Sequence, residues 1–101
     1  MAKKKITIIW SKDADTHFAE ILEFLFLESP AAAAIVANGI LSTIEKLPDY
    51  PFSHPVDRFR KNNSKNFRAC IVYCYRISYF ANYNSIIILR IRHTSREPLK
   101  L

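Results

Sequence analysis

The sequence predicts an α+β fold of order β-αα-βββ, an antiparallel sheet with a two-helix hairpin packed on one face. Three observations point there. Apolar residues recur at helical spacing between residues 12 and 47, with a Ser-Pro break at 29–30. A short β-type run, residues 5–10, precedes them. Three more runs rich in β-branched and aromatic residues, 67–73, 75–81 and 85–92, follow.

Each element has a local reason. KITIIW (5–10) is the first strand. Ser11 is placed to cap a helix, and Asp13 and Asp15 fall in its first turn, where the helix dipole favours acids. Phe18, Ile21, Leu22 and Leu25 then follow at i, i+3, i+4 and i+7. Ser29-Pro30 ends that helix and starts the next, with Ser as N-cap and Pro at the first helical position. The spacing predicts helices over 12–28 and 30–47. The second should bury Val36, Ile40, Leu41, Ile44 and Leu47. Gly39 inside it costs about 1 kcal/mol against Ala, which a close approach of the two helices would offset. Pro48, Pro51 and Pro55 hold an extended loop, and DRFRKNNSKN (57–66) is polar and turn-rich. Asn82-Tyr83-Asn84 reads as the turn between the last two strands. Strict alternation puts Tyr75, Ile77 and Tyr79 on one face of the sheet and Arg76, Ser78 and Phe80 on the other. It also puts Ile86, Ile88, Arg90 and Arg92 on the open face and makes Ile87, Leu89 and Ile91 their alternates. Trp10, Phe18, Phe24 and Phe26 read as core, and His17 and His54 as surface groups.

Length and composition narrow the function. At 101 residues the chain, 1–101, reads as a single domain. Half its residues are apolar and 13% aromatic, as in globular proteins. Its one glycine leaves no Gly-rich phosphate loop, and neither GxGxxG nor GxxxxGK[ST] occurs. The apolar stretch Ile21–Leu27 is interrupted by Glu23 and too short to span a bilayer, so no membrane role is expected. The basic N-terminus lacks the pattern of a secretory signal. Cys70 and Cys74, four apart on one strand, would be about 13 Å apart, too far to bridge. They read as small core residues of a reduced, cytoplasmic protein. No metal site is predicted, since no CxxC or Cys/His cluster occurs, and no cofactor is implied.

Charge is distributed unevenly. The chain carries net +6. Residues 58–101 hold ten cationic side chains and the single acid Glu97, a local +9, while residues 1–57 hold five cations and eight acids, a local −3. The closing hairpin threads Arg76, Arg90, Arg92, His93 and Arg96 through strand and strand-end positions, with Arg68 on the neighbouring run. Arg outnumbers Lys in this half, and its planar fork suits phosphate and carboxylate. Cations on adjoining strands repel, which a purely structural sheet avoids. Arg68, Arg76, Arg90, Arg92, His93 and Arg96 are therefore the candidate binding residues for a target or a protein partner.

The order and spacing of three segments resemble the RelE/ParE superfamily of bacterial type II toxins. They are IIWS opening the first helix (8–11), SPAAA opening the second (29–33), and YRISY…IIILRIRHTSREP closing the chain (75–79 and 86–98). The helix start and the LRIxHxxR ending are closer to ParE than to RelE, although Arg96 is followed by Glu97-Pro98-Leu99 where ParE endings often carry an Asp. The resemblance implies a basic, cytoplasmic toxin of a plasmid-stabilisation type of module. A cognate antitoxin, with which it forms a hetero-oligomer, would neutralise it. A ParE-like member is expected to inhibit DNA gyrase by binding, without catalysis. A RelE-like member would instead cut mRNA on the ribosome, without a metal. A nucleic-acid-binding domain with no toxin role is a further alternative.

Metal-free cleavage at a 2′-hydroxyl needs a base, an acid and cations for the charged transition state. Cations abound. By resemblance to RNA-cutting relatives, Arg76 and His93 would be the catalytic pair, and only if the chain is RelE-like. No second acid or base is evident, with Asp57 in the loop and Glu97 past the strand.

Overall fold

The computed structural model describes residues 6–57 and 66–96. The order is β1 (Thr7–Trp10), α1 (Lys12–Glu28), α2 (Pro30–Lys46), β2 (Phe67–Val72), β3 (Tyr75–Ala81) and β4 (Ser85–His93), with 3-10 turns at Leu47–Asp49 and Thr94–Arg96. The helices start where the serines place them. Ser11 Oγ accepts from Ala14 N at 3.0 Å, and Ser29 Oγ accepts from Ala32 N at 3.2 Å. Ser29 N also donates to Leu25 O, so one residue closes α1 and opens α2.

The strand order is β1-β4-β3-β2. The expectation of a wholly antiparallel sheet is corrected: β2, β3 and β4 form an antiparallel meander, but β1 lies parallel to β4. The two helices between β1 and the rest supply the long crossover that a parallel pair requires. Asn82 makes the last hairpin turn, its Oδ1 accepting from the amides of Asn84 and Ser85, each at 2.7 Å.

The core lies between the helices and one sheet face. Ile40, Ile44 and Leu47 of the α2 side meet Cys70, Tyr75, Ile77, Tyr79, Ala81, Ile86, Ile88 and Ile91. Ile21 and Leu25 pack against its edge, Ala33 takes a buried place on α2, and Leu41 points mainly to solvent.

Ile86 and Ile88 depart from strict alternation. Ser78 pairs with Arg90, yet Tyr79 pairs with Ile88, so Leu89 is an extra residue in β4. This β-bulge reverses the parity of the strand. Ile86, Ile88 and Ile91 therefore all face the core, and Leu89, expected there, is only half-buried. Ser11 grips the bulge, donating from N to Ile88 O and from Oγ to Leu89 O, both at 2.9 Å.

Four further expectations change. Phe24 and Phe26 are exposed, while Trp10 and Phe18 do pack on the core, 5.3 Å apart. Cys74 is exposed in the β2–β3 turn, and only Cys70 is buried. Gly39 faces that same turn, not α1: a Cβ there would stand 2.6 Å from Tyr73 Cε2, and Tyr73 itself has φ 55°. The proline-rich stretch is not simply extended, since it opens with the 3-10 turn and touches the sheet through a bridge from Val56 to Arg68. The basic run Arg58, Arg60, Lys61 and Lys65, and Glu97, lie outside the described residues. No helix among the described residues is long and apolar enough to cross a membrane.

Candidate functional site

Two surfaces hold the candidate residues, one on each side of the sheet. On the open side, away from the helices, Arg76 of β3 stands directly opposite Arg92 of β4, and Ser78 opposite Arg90. The apolar neighbours on this side are the exposed Ile9 and Ile71, not Ile86 and Ile88. Arg90 and Arg92 are exposed.

Arg76 is engaged. Its Nη2 lies 2.5 Å from Asp57 Oδ1, and the two side chains are only 12% and 11% exposed. Asp57 reaches it because residues 55–57 run beside β2, with Asp57 N donating to Phe67 O at 2.8 Å and Ala69 N donating to Pro55 O at 3.1 Å. An arginine side chain mid-strand needs a partner when water is largely excluded. Here the loop carboxylate is that partner, so the expectation that Arg76 stands open to a ligand is corrected.

Arg68 also has work within the fold. Its Nη1 donates to Phe52 O at 3.0 Å and to His54 O at 2.9 Å, and its guanidinium lies over the Phe52 ring, 5.4 Å from the centroid. Tyr79 Oη donates to Pro51 O from the same side, and burial pushes its phenol well above the ordinary range. Arg68 and Tyr79 thus hold residues 51–54 against the sheet, and His54 meets the Tyr79 ring edge-on.

His93 belongs to the other surface. It pairs with Tyr75 across the strands, and the two rings meet edge-on at 5.4 Å. Its Nδ1 accepts from Ser95 N at 3.1 Å and contacts Ser95 Oγ at 2.7 Å. Here β4 and α1 flank an open cleft of about 670 Å³, with Phe24 and Ile91 among its apolar walls and His17, Glu20 and His93 on its polar ones. His17 Nδ1 accepts from Ile91 N at 3.3 Å. Arg96 closes the terminal 3-10 turn nearby in sequence.

Arg76 and His93 therefore sit on opposite faces, with Tyr75 and Arg92 as their respective cross-strand partners. Among the described residues, no three His, Cys, Asp or Glu gather as a metal site would require. Sequence reasoning missed the cleft, because its His17–Ile91 contact joins residues 74 apart. A signal was present: His17, Glu20, Phe24 and Leu27 recur at i, i+3, i+7 and i+10, a second stripe of α1 beside the core stripe.

With this geometry in view, residues 8–98 match the family described as the ParE toxin of the type II toxin-antitoxin system, parDE. The chain belongs to the ParE toxin family. Two solved structures share the fold of this ParE-family chain. One is a chromosomal ParDE toxin-antitoxin system from P. aeruginosa, with TM-score 0.69 and 16% identity, covering 89% of this chain and 97% of that one. The other is the toxin-antitoxin complex RelBE2 from Mycobacterium tuberculosis, with TM-score 0.60 and 16% identity, covering 91% and 94%. At such identity the likeness is one of fold. No curated protein sequence matches.

Proposed function

We propose that this ParE-family toxin acts in the cytoplasm as a non-enzymatic inhibitor of DNA gyrase, and that a cognate antitoxin neutralises it by forming a hetero-oligomer. The observation that carries the reading is the match to ParE toxins along residues 8–98. The chemistry agrees with it. General acid-base cleavage needs its groups within about 3 Å of the reacting atoms. The cation and the histidine expected to cooperate in RNA cleavage, Arg76 and His93, face away from each other, and Asp57 neutralises the former. Arg90 and Arg92, exposed on the open face, are the residues assigned to target or antitoxin contact.

The test pairs two assays on the purified chain, gyrase supercoiling and mRNA cleavage on programmed ribosomes, for wild type and His93→Gln. The expected result is inhibition of supercoiling by both proteins and cleavage by neither. Ribosome-dependent cleavage by wild type that falls by about 10²-fold or more in a folded His93→Gln variant would overturn the reading in favour of a RelE-like endoribonuclease.

A further inference from the structure

The cleft between α1 and the end of β4 plays no part in the reading just given, and its chemistry is specific. Ile91 N–H donates to His17 Nδ1, and Ser95 N–H donates to His93 Nδ1. A ring nitrogen that accepts from a backbone amide carries no proton, so each neutral imidazole holds its proton on Nε2. The cleft is thus lined by two rings of the same tautomer, each with an Nε2–H to donate, and by one carboxylate acceptor, Glu20. That is the complement of a peptide backbone, which offers C=O acceptors and N–H donors.

The apolar part has the matching extent. Phe24 and Ile91 line the cleft, and Phe24 is 59% exposed. One turn further along the same stripe of α1, Leu27 is 81% exposed. From His17 to Leu27 the helix rises about 15 Å. A track of that length, open to solvent and ending in bare leucine, exceeds a small ligand and fits several residues of chain. Nucleic acid is disfavoured, because Glu20 repels phosphate and Leu27 offers no ring for a base to stack on. The net charge of +6 draws an acidic segment.

We infer that the α1–β4 cleft docks an acidic, apolar peptide segment of a partner protein, with an apolar side chain seated against Phe24 and Ile91 and its backbone bonded to His17, Glu20 and His93. This deepens the partner half of the proposal above by naming a segment and its seat, and it is independent of the gyrase half.

The test selects a phage-displayed library of random dodecapeptides on the immobilised full chain and measures the enriched peptides by fluorescence anisotropy. Enriched sequences should carry an aromatic or branched aliphatic residue flanked by Asp or Glu. Phe24→Ser and Leu27→Ser should each weaken them by about tenfold. Arg90→Gln, on the opposite face, should leave the affinity within about twofold at physiological salt. Both α1 positions are exposed, so an unchanged melting temperature verifies the fold. In wild type the ring protons of His17 and His93 should shift when peptide is added. No enrichment, enrichment of basic peptides, or binding lost with Arg90→Gln and kept with Phe24→Ser would each overturn the inference. Gyrase inhibition is measured separately without peptide, so either half of the account can fail while the other stands.

Discussion

Asp57 and Arg76 are each little exposed, and each is the ion partner of the other. Removing one leaves the other charged and poorly hydrated. Asp57→Asn and Arg76→Gln should each cost about 3–5 kcal/mol, and the double variant should recover part of that loss. Urea unfolding of the four proteins checks this. Additive losses would mean that the pair is not coupled. The expectation from sequence alone runs the other way, toward unchanged or higher stability for Arg76→Gln. It fails because the partner lies 19 residues away on a loop whose path no local spacing reveals. The two thiols divide as sharply. Burial pushes Cys70 up to about 11, against a smaller opposing pull from Arg76, while Cys74 is exposed. An aromatic disulfide reagent should titrate one thiol in the native protein and two in denaturant. Because the folded value lies above the unfolded one, near 9, the neutral thiol's contribution is complete below about pH 9 and is lost as pH rises through about 11. Two units correspond to about 3 kcal/mol in full. The alkaline fall in unfolding free energy should therefore be shallower in Cys70→Ala than in wild type.

The helices were legible because Ser11, Ser29 and Pro30 mark their ends by local chemistry that operates within four residues. The strands were legible as strands but not as faces. Nothing in IIILRIRH announces that Leu89 is an extra residue, since the bulge is set by pairing with β3 and by the grip of Ser11. Gly39 shows the same limit. Its need for space was visible, but the neighbour is the Tyr73 ring, held over α2 by a left-handed backbone. Gly39→Ala alone should gain helix propensity and lose the seat of that ring, for a change near zero. In a Tyr73→Gly background, where the ring is absent and φ suits glycine, the same substitution should add about 1 kcal/mol. A thermal-denaturation cycle across the four proteins decides it, and equal effects in both backgrounds would mean that Tyr73 does not crowd Gly39. Ile40→Ala, at a fully buried site of α2, should cost about 2–5 kcal/mol in the same assay.

For the molecule as a whole, the charge map was open to reading in full, because it needs only composition. Which cations remain available was not. The fold commits Arg68 and Arg76 to the loop and leaves Arg90 and Arg92 exposed on the open face. His93 was singled out correctly as a residue of interest, but its neighbours, His17 and Glu20, come from α1 and could be found only through the tertiary structure. The field of a +6 chain should speed encounter with an acidic partner. Stopped-flow association with its antitoxin should therefore slow as salt rises from about 50 to 500 mM, with dissociation much less affected. A flat association rate would place recruitment on the apolar track of α1 instead of on charge.

The parallel pairing of β1 with β4 has a kinetic side. Thr7 meets Ser85 and Trp10 meets Ile88, so the earliest strand to be synthesised waits for the latest. The meander β2-β3-β4 closes through short turns, whereas seating β1 closes nearly the entire chain, a loop whose entropy grows with its length. Folding should then end at β1, with Ser11 fastening onto Leu89 as the closing act. A ribosome still translating the final strand would hold a toxin that cannot yet be complete, and its full toxic surface would appear only at about the time the chain is released.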